Sequence, residues 1–393
     1  MESPIQKNPK NTKNQQMKIY TITCHDVYNY GASLQAYALQ HYLESRGHEV
    51  EIIDYLPQYM DKSYKIRWNS YVLPPASKLY RFKGKIPFVD TLFKISELRR
   101  HVLFICSKWG RKKAFDSFKH SFLKLTDQHF ETFEELLNAN LKADAFIAGS
   151  DQIWNTAFQN GRDASFFLEF AGGKRISYAA SFGLSKLEDI DKKRIKEQLG
   201  KFSSISVREK TGLTILDDLG IKNAIQVLDP VFLLDKKQWL EVASHKYDLK
   251  NYLLVYNLNS LNTEIKRCAQ AVAKEKNLKI VSVEEYGKIT YADVRITDAG
   301  PSEFVELFSN ASFVVTNSFH ATAFSLLFNV PFFSIIKNKT ASRINDVLEM
   351  VDLKDRMNPE TVCEVAPICW TRVNDCLSRN KTKSVDFLEN SLL

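Results

Sequence analysis

Cysteine is sparse in this chain and never arranged to bind a metal or staple a fold. The six present, Cys24, Cys106, Cys268, Cys363, Cys369 and Cys376, include no CxxC with a matching second half. They read as reduced packing thiols of a cytoplasmic protein. Glycine is also scarce, with 14 in 393 residues. None of it falls in a GxGxxG or Walker loop, no GxSxG elbow occurs, and no His, Cys or Asp spacing suits a metal. Disulfide scaffolds, dinucleotide fingerprints, P-loop NTPases and metal centres are thereby set aside, and neither a cofactor nor a metal is expected. Long apolar runs are missing too. The longest, Ala323 to Ile336, is broken by Ser325, Asn329 and Pro331 and is too short to cross a bilayer. Residues 1–16 have no apolar stretch and read as a disordered tail, not a secretion signal.

What is present describes a globular α/β protein. A chain of 393 residues exceeds what one core usually supports, and 44% hydrophobic residues leave no general case for disorder. The net charge of +8 is concentrated: residues 61–120 hold 15 Lys and Arg against four acids, a local +11 that leaves −3 elsewhere. Aromatics interleave with those cations, among them Trp68, Tyr71, Phe82 and Trp109. Such a mixture suits an anionic membrane surface at the inner face of the membrane. A solvated basic face is the plainer alternative, and no nucleic-acid motif accompanies it.

Short apolar strands alternate with helical patterns along the chain. Met17–Thr23 reads as a strand, 32–46 as an amphipathic helix closed by Gly47, and Glu49–Tyr55 as the next strand, a doubly wound opening. Further strands are expected at Ala143–Gly149, Arg175–Ala180, Ile205–Arg208, Gln226–Leu228, Tyr252–Tyr256, Leu278–Val283, Ala311–Val315 and Pro331–Ile335. The expected architecture is two Rossmann-like domains facing a cleft: residues 17–204, carrying the basic insert 61–120, and residues 205–393, ending in helices.

Several strand ends carry groups fit for chemistry. His320 follows an apolar strand, with Asn317 and Ser318 placed to cap the helix after it. A histidine there can move a proton near neutral pH while helix N–H groups hold an anion, although a satisfied structural histidine fits the same pattern. Gly31, in YNYGAS, lets backbone approach a ligand closely, and helix entry alone also explains it. Asp151, in GSDQIWN, suits hydroxyl binding, proton abstraction or helix capping. Arg208, in SVREK, can hold a carboxylate or phosphate bidentately or pair with a buried acid.

The segments NYGASLQAYAL, FIAGSDQIWN, SYAASFG, SVREK, VLDPVFLL and VVTNSFHATAFSLLFNVPF, in this order and spacing, resemble the polysaccharide pyruvyl transferase family from about Met17 to about Leu353. The resemblance implies a two-domain fold similar to GT-B glycosyltransferases. It also implies transfer of the pyruvyl group of phosphoenolpyruvate to a sugar of a cell-surface polysaccharide, or of its lipid-linked precursor, forming a pyruvate ketal. On that reading Arg208 matches the donor-binding arginine and His320 the catalytic histidine, with Asn317 and Ser318 at the donor. The acceptor falls to Asn29, Tyr30, Gly31, Asp151 and Trp154, although a tryptophan packed in the core also explains Trp154. Many members carry an arginine where this chain has Ser318, so another cation is expected to replace it, with Arg343, Lys337 and Lys339 as candidates, although pairing with Asp346 also explains Arg343. A nucleotide-sugar glycosyltransferase on the same scaffold, or a non-catalytic polysaccharide-assembly scaffold, are the alternatives.

Overall fold

Strands whose every side chain is buried need cover on both faces, which parallel sheets flanked by helices provide. β4 (Ala145–Ala148), β8 (Tyr252–Tyr256) and β11 (Phe313–Thr316) are buried along their whole length. In the structure, a computed structural model, they are interior strands of two parallel sheets. It describes residues 16–60, 109–258, 262–285, 288–336, 342–361 and 365–393. The first sheet adds β1 (Lys18–Ile22), β2 (Glu49–Tyr55), β3 (Leu125–Phe130), β5 (Lys174–Ala180), β6 (Ser204–Val207) and β7 (Ile225–Gln226), in the order β3-β2-β1-β4-β5-β6-β7. The second adds β9 (Lys279–Val283), β10 (Val294–Ile296) and β12 (Phe332–Ser334), in the order β10-β9-β8-β11-β12. Both orders run outward, return and reverse, as in doubly wound folds.

The described helices are α1 (Tyr30–Ser45), α2 (109–122), α3 (Phe133–Ala139), α4 (Asp189–Leu199), α5 (Lys210–Asp218), α6 (Lys236–Glu241), α7 (Thr263–Lys276), α8 (Pro301–Asn310), α9 (Phe319–Phe328), α10 (Ser342–Met350) and α11 (Trp370–Leu392). One hydrophobic core runs through both halves, joining Leu34 and Tyr37 of α1 to Trp239, Phe304 and Phe324. Tyr30 lies at this seam. Its ring stacks on Phe304 at 4.6 Å and its hydroxyl donates to the Ala299 carbonyl at 3.0 Å. It therefore holds the halves together and is not free to meet an acceptor, contrary to expectation.

Three further expectations change. The boundary at 205 does not separate the sheets, because β6 pairs with β5 and buries Ile205 and Val207 in a cluster with Ile22, Phe146 and Ala148 of the first sheet. The change of sheet falls between Gln226 and Tyr252. The last helix, α11, returns to the first half, where Ser384 Oγ accepts the Leu228 N–H at 2.9 Å and Tyr42 donates to Glu389 at 2.9 Å. Of the basic stretch, 61–108 lie outside the described residues, as do 1–15 of the tail. The remainder is in α2, which buries Phe115 and Phe118 in the core and so does not form a purely solvated face.

Trp154, expected at the acceptor, is 0% exposed. Its indole N–H donates to the Phe166 carbonyl at 3.1 Å and its ring stacks on Phe167 at 5.8 Å. An indole enclosed in this way cannot receive a sugar ring. Trp154→Ala is expected to cost about 3–5 kcal/mol of stability. The midpoint of urea unfolding reads this directly, and an unchanged midpoint would place the ring outside the core.

Candidate active site

In open α/β sheets ligands bind outside the carboxyl ends of the strands, where strand order reverses. That point lies between β1 and β4 in the first sheet and between β8 and β11 in the second. The loops leaving all four strands reach one cavity of about 660 Å³ between the halves. Tyr28 and Asn29 follow β1, Asp151 and Gln152 follow β4, Leu258 follows β8, and Ser318 to His320 follow β11. Tyr28 (φ 49°) and Asp151 (φ 73°) adopt left-handed backbone. Conformations of that kind cost energy in non-glycine residues and concentrate at ligand sites.

Two helix starts meet across this cavity. Asn29 caps α1 by accepting the Ala32 N–H at 3.1 Å, and Ser318 caps α9 by accepting the Ala321 N–H at 3.5 Å. Gly31, in the first turn of α1, lies against the His320 ring of α9. A Cβ at Gly31 would sit 1.9 Å from His320 Nδ1. The missing side chain therefore admits the imidazole between the two helix ends, where unpaired backbone N–H groups favour anions. His320 is 8% exposed. Its Nε2 makes no hydrogen bond and faces Asp229 Oδ2 at 3.7 Å.

Asp229, fully enclosed after β7, organises the floor. Its Oδ2 accepts from Arg208 Nη1 at 2.5 Å and from Ser150 Oγ at 3.1 Å, while Oδ1 accepts the Val231 N–H at 3.1 Å. Burial alone would raise this carboxyl, yet Arg208 and His320 outweigh it and hold the group well below the ordinary carboxylate range. Asp151 obeys the same balance: burial raises it, and the charges of Arg208, His320 and Arg343 bring it below its ordinary value. The two arginines flank one aromatic ring, Arg208 at 5.0 Å and Arg343 at 6.0 Å from the Phe319 centroid. Burial and the neighbouring Arg208 charge push the Arg343 guanidinium below its ordinary value. An anion placed between the two cations would relieve that repulsion.

The expected residues divide accordingly. His320, Ser318, Arg343, Asp151, Asn29 and Gly31 line the cavity, as does the otherwise engaged Tyr30. Arg208 does not. Its side chain is 1% exposed, bound to Asp229 and reaching Asp151 at 3.4 Å, and it lines an adjoining 260 Å³ pocket that Arg343 also borders. Direct clamping of a ligand in the main cavity is thus not the role this arrangement gives it. Asn317 is also withdrawn, since its amide accepts the Leu258 N–H at 2.8 Å and donates to Asn257 at 3.1 Å. Arg343, the candidate for the cation absent at Ser318, lines the same cavity 4.0 Å from Asp151 and is 19% exposed. Lys337 and Lys339 lie outside the described residues.

Three supports of the site escape a reading of the sequence. Asp229 stands inside a motif that gives it no role by itself. Arg111 looks like one surface charge among many, yet it is buried, donates to the Tyr28 carbonyl at 2.6 Å and pairs with Glu285 at 3.3 Å, linking both halves at the cavity. Glu209 lies in the core and accepts from Ser181 Oγ, Phe182 N–H and Gly183 N–H at 2.9–3.1 Å, fixing the loop after β5. No His, Cys, Asp and Glu grouping that would hold a metal occurs among the described residues, and no described helix is long and apolar enough to cross a membrane.

The profile of the polysaccharide pyruvyl transferase family matches residues 29–338, a span that contains Asp151, Arg208, Asp229 and His320. No curated protein matches the chain. Among solved structures, a UDP-N-acetylglucosamine 2-epimerase from Rickettsia bellii is 12% identical, with 96% of this chain and 97% of that one covered and a TM-score of 0.47. An Arabidopsis thaliana protein complexed with UDP-L-rhamnose is 10% identical, with 96% and 100% covered and a TM-score of 0.47.

Gly31→Ala tests the contact between the two helix starts. Alanine usually stabilises a helix relative to glycine by roughly 0.5–1 kcal/mol, but here its Cβ displaces the imidazole. The histidine Cε1–H signal that disappears in His320→Gln is expected to shift and broaden in Gly31→Ala. An unmoved signal would mean that the ring does not rest on Gly31.

Proposed function

Because the chain belongs to the polysaccharide pyruvyl transferase family, we propose that it moves the pyruvyl group of phosphoenolpyruvate onto two hydroxyls of a polysaccharide sugar, or of its lipid-linked precursor. The observation that carries this reading is the convergence of His320, Arg343 and Asp151 on one cavity at the switch points of both sheets. Phosphoenolpyruvate bears a phosphate and a carboxylate, and both require cations or helix N–H donors in place of water. Arg343 and the first turn of α9 supply these at the cavity wall. Arg208 acts from behind, its charge shared with Asp229 and Asp151.

The reaction needs an acid and a base more than a nucleophile. Protonation of the donor's methylene carbon develops positive charge on the adjacent carbon. A first sugar hydroxyl bonds there and loses its proton, inorganic phosphate leaves, and a second hydroxyl closes the ketal. Overall the two hydroxyl protons are accounted for by the new methyl group and the departing phosphate. His320 is the proton carrier, because an imidazole can serve as both acid and base, it lines the cavity, and its Nε2 is left without a hydrogen bond. Asp229, 3.7 Å from its Nε2, stabilises the imidazolium form as the charge appears. Asp151, also kept ionised, is placed to receive a hydrogen bond from the attacking hydroxyl. The sugar lies toward the first half, near Asn29 and Gln152.

His320→Ala is expected to lower phosphate release from phosphoenolpyruvate, measured with cell-surface polysaccharide as acceptor, by roughly 10²-fold or more while the protein stays folded. Full activity in folded His320→Ala, or release of a nucleoside diphosphate from a nucleotide sugar instead, would reject the reading. Arg343→Ala should chiefly raise the KM for phosphoenolpyruvate, by roughly tenfold or more, as loss of a charge-assisted hydrogen bond implies. An unchanged donor KM would remove Arg343 from the donor site.

The pH dependence has a definite sign. The Asp151 and Asp229 values are depressed, so the stability they contribute is complete above the unfolded carboxylate range, near pH 4. It is lost only as pH falls through their lower folded values. Turnover between pH 5 and 9 should therefore titrate on groups other than these carboxylates. An acidic limb in that range that vanishes in Asp151→Asn would contradict the assignment.

A further inference from the structure

The aromatic ring that the sequence offers for an acceptor, Trp154, is sealed in the core, yet four residues later the chain presents another. Phe158 is 58% exposed, lines the 660 Å³ cavity on the first-half side, and stacks on no other ring among the described residues. Its turn is built to hold it there. Asn155 Oδ1 accepts the Ala157 N–H at 3.0 Å, the Phe158 N–H donates to the Asn155 carbonyl at 3.0 Å, and Asn160 Nδ2 donates to the Gln152 carbonyl at 2.6 Å. Gly161 seals the turn from below, where a Cβ would lie 2.2 Å from the Asn155 carbonyl carbon. A large apolar side chain fixed in solvent at a cavity mouth loses the burial it would gain elsewhere.

The neighbouring chemistry says what covers it. Gln152, Gln159 and Asn160 line the same wall and flank the ring in the chain, while the cavity's charged groups include Asp151 and Arg111 from this half and His320 and Arg343 from the other. A pyranose matches this pairing, with an apolar C–H face for an aromatic ring and a rim of hydroxyls for amides. An anion does not, because the negative face of the aromatic quadrupole repels it. We infer that Phe158 is the acceptor platform: an uncharged pyranose lies with its C–H face on this ring and its hydroxyls toward the Gln152–Asn160 wall, with Asp151 and His320 beyond. This assignment rests on the pyruvyl-transfer reading and gives its acceptor site a substrate class.

The test is saturation-transfer NMR on the full chain with two probes, methyl β-galactopyranoside and methyl β-glucopyranoside. Transfer to the ring C–H protons of at least one glycoside is expected in the parent protein. Phe158→Ala should weaken binding of that glycoside roughly fivefold or more, and Phe158→Tyr should retain it. Thermal unfolding of Phe158→Ala at the parent temperature confirms that only the exposed ring was removed. Parent-like transfer in Phe158→Ala, or no transfer to either glycoside in the parent, overturns the platform. Phosphoenolpyruvate binding, followed by ³¹P line broadening in the same samples, separates the two claims. Donor binding with no Phe158 effect refutes the platform alone. A glycoside signal that depends on Phe158, in a protein that does not bind the donor, upholds the platform and counts against pyruvyl transfer.

Discussion

A carboxylate shut away from water, Asp229, sets the terms for the rest of this molecule. An ionised group in such a place is tolerable only when its charge is matched and its lone pairs are filled. Arg208, Ser150 and the Val231 N–H do this from three separate segments. The consequence reaches both halves. Arg208 follows β6, Ser150 follows β4, and the short helical turn at Pro230–Leu233 that Asp229 caps packs beneath α1. His320, from the second half, then meets a fixed negative charge on one side and Gly31 on the other.

That arrangement explains why the site needs so few special residues. Two parallel sheets of like order place their reversal points opposite each other, and four loops converge without long insertions. The continuous apolar core through α1, α8 and α9 holds the loops in register. Charge is then distributed by depth. Asp229 and Arg208 are sealed, Asp151 and Arg343 reach the cavity, and the amides of the first half stay uncharged. The layering suits a reaction that handles a small anion on one side and a neutral polyol on the other.

Much of this is legible in the sequence, for physical reasons. Interior parallel strands are apolar throughout, so 252–256 and 311–315 announce themselves, and Ser318 caps the helix that holds His320 as its place in the chain suggests. Edge strands are not legible. LTDQHF at β3 alternates poorly and exposes three of its six residues, and VRI at β10 has only three. The expected domain boundary is misplaced because two short strands, β6 of four residues and β7 of two, give no pattern long enough to tell which sheet they join. At the site, residue type reveals His320 and Asp151. Accessibility is invisible in a sequence, so Arg208 and Trp154 attract roles that their burial denies, while exposed Phe158 draws no notice. Long-range pairing is hidden for the same reason: nothing near Arg111 in the chain points to Glu285 as its partner.

If the cavity between the two sheets joins a pyruvyl group to a sugar, mass spectrometry of the acceptor shows it most directly. Purified protein is incubated with phosphoenolpyruvate and with cell-surface polysaccharide prepared from cells lacking the protein, and the polysaccharide fragments are weighed. A gain of about 70 Da per modified sugar, the mass of a ketal-linked pyruvyl group, is the predicted result. Fragments of unchanged mass, or heavier by about 162 Da as a transferred hexose would make them, would contradict it.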